Sequence, residues 1–304
     1  MTYEPMEFSK PYTYMRYYCV NKGEDDKVAS ALTKMMAEDV TLKVKNDSAN
    51  GQQLIYAIGE QALEVVKSKL LARYKVTIEL GEPRVSFRET ITKTSDVQGK
   101  HKKQSGGHGQ YGDVYIKFSN SGDNEKPYEF TTDQVKGGVV PSQYFPAVEK
   151  GIQECVVAGP LAGYPVFGVK ADLYFGSYHP VDSSEAAFKM AAHIAFKEGF
   201  MKAGPVLLEP IMNVKVTVPN DFTGDVMGDL NKRRGRVLGM NPIAGGKQVV
   251  EAEVPEMEMF GYCTVLRSMT GGIGTFEENF DHYEQAPRDV QDKEVAKKAA
   301  EEKE

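Results

Sequence analysis

Two stretches of this chain, one towards each end, carry the same order of hydrophobic periods. In the first, 12–20 (YTYMRYYCV) is dense in aromatic residues and predicts a strand. Asp25 and Asp26 offer N-cap oxygens, and Val28, Leu32, Met35 and Met36 follow at helical spacing, which predicts a helix over 26–38. TLKVK at 41–45 alternates as a half-buried strand does, Asn50-Gly51 marks a turn, and 53–58 is a second short strand. Leu63, Val66 and Leu70 give 60–73 one apolar helical face, and KVTIEL at 75–80 alternates again. The second stretch repeats the order: a strand at 210–218, a helix from Asp221 or Thr223 to 234, and strands at 236–240 and 248–254 around a turn at 241–246. A helix at 257–269 stopped by Gly271-Gly272 and a strand at 276–283 complete it. β-α-β-β-α-β is the ferredoxin-like split arrangement, in which two helices cover one face of a sheet.

Between these stretches the grammar changes. Strands are predicted at 85–92, 113–118 and 166–175, helices at 142–158 and 183–202, and a Gly- and Lys-rich stretch, 98–112, joins the first two strands as a loop. Gly81-Glu82-Pro83 marks a boundary. The tail, 291–304 (QDKEVAKKAAEEKE), reads as a solvated helix or frayed end with no assigned function. The fold class is α+β, as three consecutive domains. Their limits are 1–81, ferredoxin-like; 82–204, an elongated two-layer α+β domain; and 205–290, ferredoxin-like again, with 291–304 as a charged tail.

Several function classes drop out. The 304 residues can bury several cores without staples, and 41% hydrophobic with 26% charged residues is a globular balance. Cys19, Cys155 and Cys263 are far apart, which leaves no disulfide framework or zinc spacing and favours the cytoplasm. No apolar run approaches the roughly 18 residues that span a bilayer, so no membrane partner is expected. A net charge of −6 argues against a uniformly basic nucleic-acid sheath and leaves local patches open.

Three segments hold candidate chemistry. Lys100-His101-Lys102-Lys103 precedes the glycine-dense QSGGHGQYG at 104–112. Lysines suit phosphates, glycines allow close backbone approach, and Tyr111 suits base stacking; the alternative is a merely solvated hairpin loop. GSYHPVD at 176–182 is a second polar loop. There Asp182-Ser183-Ser184-Glu185 fits a capping box, and His179 reads as a solvated histidine, a partner contact or a proton carrier. Lys232, Arg233, Arg234 and Arg236 are four bases in five residues at a predicted helix C-terminus, suited to the helix dipole or to phosphate. GMNPIAGGK at 239–247 fails the phosphate-loop pattern, since Asn241 stands where glycine is needed and Gln248 where Ser or Thr is needed, so it reads as a hairpin turn. There is no GxSxG, HExxH or GxGxxG after a strand, and no catalytic constellation.

Longer segments resemble one family. RETI at 88–91, KQSGGHGQYGDV at 103–114, GGVVPSQYFPAVEKGIQE at 137–154, GPLAGYPV at 159–166 and GSYHPVDSSEAAFKMAA at 176–192 resemble domain IV of bacterial elongation factor G. GPVLLEPIM at 204–212, TGDVMGDLNKRRGRVLGM at 223–240, LRSMTGG at 266–272 and FDHYEQAP at 280–287 resemble its domain V. EDV at 38–40 and GEQALEVV at 59–66 resemble domain III more weakly. The sequence departs from the family pattern at His108 and Ile273, where arginine is usual, and at Gln61-Ala62, where a Leu-His pair is usual.

The resemblance implies the C-terminal half of a translational GTPase, a monomer acting on the ribosome. Domain IV would enter the small-subunit decoding region and contact tRNA–mRNA through Ser105, Gly106, Gly107, His108, Gly109, Gln110 and Tyr111 of one tip loop and Ser177, Tyr178, His179 and Asp182 of the other. Lys232, Arg233, Arg234 and Arg236 would contact rRNA near the large-subunit GTPase-associated region. The chain itself would be no enzyme and hold no cofactor or metal, GTP and Mg belonging to the absent GTPase domain. The alternatives are a ribosome recycling or ribosomal protection paralogue, a free-standing hydrolase using His179 and Asp182, and a protein-interaction module without RNA.

Overall fold

The first six elements of the computed structural model are β1 (Thr13–Cys19), α1 (Asp25–Glu38), β2 (Lys43–Asp47), β3 (Gln52–Ala57), α2 (Glu60–Lys69) and β4 (Ile78–Gly81). Residues 11–48, 50–104, 109–135 and 139–301 are described. The sheet order is β2-β3-β1-β4, with β1 antiparallel to both β3 and β4. Val28, Leu32 and Met35 from α1 and Leu63 and Val66 from α2 pack on Ile55 and Ile78 of the sheet. Asp25 and Asp26 do not cap α1: Glu24 is the cap residue, and the two aspartates sit in the first turn, where their charge faces the positive end of the helix dipole. The expected single helix over 60–73 is α2 followed by a π-helical turn, Leu70–Tyr74, that Lys75 stops at φ 56°.

The middle elements are β5 (Arg88–Ile91), β6 (Ser95–Lys103), β7 (Gln110–Asn120), β8 (Tyr128–Thr131), α3 (Phe145–Val156), β9 (Val169–Ser177) and α4 (Glu185–Lys202). Their sheet runs β6-β7-β9-β8, with β8 parallel to β9 and the other pairs antiparallel. Its core lies under α3 and α4, with Val114, Ile116, Phe118 and Leu173 against Ile152, Phe188 and Phe196. The expected loop over 98–112 is instead mostly strand. Ser95, Val97 and Gly99 point inward in alternation, and Gln110, Tyr111 and Gly112 open β7. Small inward residues carry this alternation, and they have the composition of a loop.

The last stretch is β10 (Pro205–Pro219), α5 (Thr223–Lys232), β11 (Arg236–Ile243), β12 (Lys247–Pro255), α6 (Tyr262–Thr270) and β13 (Thr275–Gln285), followed by α7 (Arg288–Glu301). The order β11-β12-β10-β13 is the same as that of the first sheet, so both ends have the ferredoxin-like topology that periodicity predicts. Gly271, left-handed at φ 60°, ends α6 as expected, and its N–H reaches Arg267 O. GMNPIAGGK is the β11–β12 hairpin.

The chain divides into two compact units, the described residues of Met1–Ser86 with Pro210–His282, and Phe87–Glu209 with Tyr283–Glu304. In the first, Tyr14 stacks on Tyr56 at 5.1 Å, meets Phe260 edge-on at 6.0 Å and donates its hydroxyl to Glu256 Oε1 at 3.2 Å. In the second, Pro205–Leu208 pairs with β5, and α7 is docked rather than frayed: Glu294 Oε1 accepts the Tyr164 hydroxyl at 2.5 Å and Gln291 Oε1 accepts the Leu207 N–H at 3.1 Å.

Candidate nucleic-acid interface

The β6–β7 hairpin and the β9–α4 connection meet at one end of the middle sheet. Ser105, Gly106, Gly107 and His108 lie outside the described residues. The neighbouring residues are tied across the two connections. Tyr111 N–H donates to Asp182 O at 2.9 Å, Ser183 Oγ donates to Tyr111 O at 2.9 Å, and Gly109 N–H donates to Asp182 Oδ1 at 3.0 Å. Asp182 is therefore a cross-link and not the helix cap that its spacing to Glu185 suggests. The cap is Ser184, whose hydroxyl accepts the Ala187 N–H at 3.2 Å. Ser184 already satisfies the helix end, which leaves the Asp182 carboxylate to Gly109.

His179 is exposed at the turn of the second connection. Its Nδ1 accepts the N–H groups of Val181 at 3.3 Å and Asp182 at 3.2 Å, and its own N–H donates to Ser183 Oγ at 2.8 Å. With Nδ1 used as an acceptor, Nε2 is the ring's donor. The ring lies 6.5 Å from that of Tyr111. Beneath it runs a hydrogen-bond chain. Ser177 Oγ donates to Asp113 Oδ2 at 2.7 Å, so the Tyr111 hydroxyl, 2.7 Å from the same Ser177 oxygen, is the donor to Ser177. Gln98 Nε2 donates to Asp113 Oδ1 at 2.8 Å. Asp113, Gln98 and Ser183 thus hold the tip, and sequence reasoning missed them as site residues. An aspartate that is buried although it stands in the solvent-facing phase of the alternating DVYIKF, with Tyr115 and Lys117, marks the site, and the sequence alone does not show that burial. Tyr178 is 46% exposed, and Gln110 pairs with His101 Nε2 at 2.9 Å.

Among the described residues, the Ser183 hydroxyl beside His179 and Asp182 donates to the Tyr111 main-chain oxygen and accepts the His179 N–H, so it is held by the backbone and not by the imidazole ring. No group of three or more metal-ligating side chains occurs among the described residues. The arrangement instead presents a narrow, cross-braced polar end flanked by Lys100, Lys102 and Lys103, with Lys100 Nζ 5.7 Å from the Tyr111 ring centre.

The basic run divides. Arg233 is largely buried; its Nε donates to Asp229 at 2.8 Å, its Nη1 to Glu258 O at 2.5 Å, and its guanidinium sits 5.0 Å from the Tyr262 ring centre. Arg234, left-handed at φ 59°, pairs with Glu258 at 2.9 Å, and Arg236 pairs with Glu253. Lys232 is exposed and has no ion-pair partner among the described residues.

Three family models match in sequence order: "Elongation Factor G, domain III" at 8–82, "Elongation factor G, domain IV" at 83–204 and "Elongation factor G C-terminus" at 206–294. The chain belongs to the elongation factor G family. A crystal structure of a Thermus thermophilus protein superposes with a TM-score of 0.82 at 40% sequence identity, over 99% of this chain and 46% of that one. The present chain thus spans about half the length of that relative. Its matched parts are domains III, IV and the C-terminal domain of elongation factor G, and no helix among the described residues is long and apolar enough to cross a membrane.

Proposed function

We propose that this chain is the ribosome-binding arm of an elongation factor G-type translational GTPase and promotes tRNA–mRNA translocation. On this reading 1–81, 82–204 and 205–290 act as its domains III, IV and V. The domain IV tip enters the small-subunit decoding region in the cytoplasm. The observation that carries the reading is the cross-braced tip, in which Asp182 and Ser183 lock the two connections at 2.9–3.0 Å. Gly109, Tyr111, Asp182 and Ser183, tied together before binding, lose little conformational entropy on entering a crowded RNA cavity, so more of the interaction energy remains for holding tRNA–mRNA in place. His179 offers Nε2 to a phosphate or base edge, and Tyr111 offers a ring face. Lys232 is the member of the basic run best suited to rRNA near the large-subunit GTPase-associated region, since its three neighbours are engaged by carboxylates within the fold. The chain acts as a monomer through binding and shape, with no covalent step and no cofactor of its own; GTP and Mg belong to the GTPase domain of a full factor.

The test is co-sedimentation of the chain with bacterial ribosomes across a salt series, beside His179→Ala and Lys232→Ala. Salt-sensitive binding that weakens on Lys232→Ala, with His179→Ala reducing translocation when placed in a full factor, is the expected result. Binding indifferent to salt and to both substitutions would overturn it.

A further inference from the structure

One face of the middle sheet is covered by α3 and α4; on the other, Gln98, Lys100, Lys102, Lys117 and Phe175 are exposed, with Tyr111, Tyr115 and Tyr174 half-buried among them. The register places Gln98, Lys100 and Lys102 of β6 opposite Tyr115, Asp113 and Tyr111 of β7. Phe175 and Ser177 of β9 lie opposite Tyr115 and Asp113 on the other side. Directly opposed antiparallel residues share a face, so these side chains form one surface. Between Tyr115/Phe175 and Ile116/Leu173 the register shifts, because β9 carries one extra residue, Tyr174. Such a bulge re-aims a side chain, so that two consecutive residues leave the strand on one side. Accordingly, the Tyr115 ring meets both Tyr174, at 6.2 Å, and Phe175, at 5.3 Å. Phe175 remains 44% exposed at the centre of a solvent-facing sheet, a position where burial gives no reason for an aromatic ring.

Charge gives this surface a direction. At the end away from the tip, cross-strand partners Asp96 and Lys117, then Lys117 and Asp172, alternate in sign, and Asp96 accepts the Tyr174 hydroxyl at 2.7 Å. At the tip end of this face Lys102 is exposed beside Lys100, while Asp113, which faces Lys100 across the strands, is buried and already takes bonds from Gln98 and Ser177. Flat rings in the middle of a sheet, beside a row of lysines, suit a strand of unstacked bases with its phosphates along the lysines.

We propose that this open face is a stacking platform for single-stranded or looped RNA. Phe175 and Tyr115 take the bases, and Lys100 and Lys102 take the phosphates. The inference rests on the reading of the chain as an RNA-contacting arm, and it adds a second surface beyond the tip loops. The occupant is RNA rather than an apolar peptide because β6 sets Lys100 and Lys102 along the rings on one side, where phosphates would lie, and an apolar peptide has no use for that charge.

The experiment is fluorescence anisotropy of a labelled short oligoadenylate RNA titrated with the whole chain. Wild type is compared with Phe175→Thr, Tyr115→Thr and Lys100→Gln/Lys102→Gln, with thermal midpoints checked for each. Ribosome co-sedimentation is run in parallel. Phe175→Thr, at an exposed position, is expected to fold as wild type and to weaken oligoadenylate binding roughly tenfold, the scale of one lost base–ring stack. The lysine double variant is expected to flatten the salt dependence, its slope falling by roughly 0.7 for each phosphate no longer neutralised. No oligoadenylate binding by a wild-type chain that does sediment with ribosomes would overturn the platform and leave the ribosomal reading standing. Unchanged oligoadenylate binding by both aromatic variants would also overturn it. Loss of ribosome binding by Phe175→Thr with oligoadenylate binding intact would give the face to a protein partner and overturn it too.

Discussion

The Asp182 side chain accepts the Gly109 N–H at 3.0 Å, and the main chain of the same residue accepts the Tyr111 N–H at 2.9 Å. Removing the carboxylate leaves Gly109 without that bond, while Tyr111 stays tied to the second connection through Asp182 O, the Ser183 hydroxyl and Ser177. Asp182→Ala is therefore expected to speed amide hydrogen exchange at Gly109 by roughly tenfold, corresponding to about 1.4 kcal/mol for a hydrogen bond to a charged acceptor. Asp182→Asn, which keeps one acceptor oxygen, should fall between the two, and equal exchange in all three would refute the cross-link. The sequence names Asp182 as a candidate but assigns it the wrong partner. Its spacing to Glu185 is local and visible, whereas Gly109 is 73 residues away. Glu89 shows the same limit. It sits in RETI as an ordinary strand residue, yet it is fully buried and accepts the N–H groups of Leu161, Ala162 and Tyr164 at 2.8–3.0 Å. Burial pushes its carboxyl above the usual range, and those N–H donors partly offset the push. No pattern within a strand announces a loop folded around its carboxylate.

At the scale of elements, the middle domain depends on how closely α4 approaches the sheet. A Cβ at Gly99 would come within 2.1 Å of Ala191 O, and one at Gly112 within 2.5 Å of Ala187 O. Ala187, Ala191 and Ala195 recur every four residues, so the helix presents a small-residue stripe to glycines on β6 and β7. Gly112→Ala and Gly99→Ala are each expected to cost about 1–3 kcal/mol by overpacking, read as a lowered thermal midpoint. Either substitution leaving the midpoint unchanged would show that the helix rests less tightly than this. These glycines have the look of loop glycines in the sequence, which makes β6 hard to recognise: they provide closeness rather than conformational freedom. The amphipathic periods of α1, α2, α5 and α6 and the alternation of β12 are legible because each buries a continuous large apolar stripe. The docking of α7 is not legible, since Val290 is the buried residue of its sequence and its other anchors are Gln291 and Glu294.

At the scale of the whole molecule, the first and last ferredoxin-like domains belong to one compact unit, and the contact they share holds two acids. Tyr14 donates to Glu256 there. Burial, and then the charge of Glu256, push the Glu278 carboxyl from 4.5 up to about 8, while burial first, with Glu256 and Glu278 behind it, pushes Tyr56 up to about 12. A carboxyl raised in the folded state binds its proton more tightly there than in the unfolded chain. Its contribution to stability is thus complete below pH 4.5 and is lost progressively as pH rises through about 8. Glu278→Gln, which cannot ionise, should remove that slope. The variant is expected to gain on the order of 1–3 kcal/mol over wild type above pH 8 and little below pH 4.5, as measured by denaturant unfolding at the two extremes. Parallel pH profiles would refute the assignment. Sequence periodicity yields the six-element order at each end, because that order is written in local hydrophobic spacing. Which domains pair is decided by Tyr14, Tyr56, Glu256 and Phe260, residues ordinary in their own segments. The same pairing makes both units discontinuous, since Ser86 and Pro210 are brought into one body across the intervening Phe87–Glu209. During synthesis the N-terminal domain must therefore wait for its partner. About two hundred residues separate Ser86 from His282, which at 5–20 residues per second is a delay of roughly 10–40 s. Through that interval the nascent chain carries an aromatic surface around Tyr14 that Phe260 and Glu256 have yet to cover.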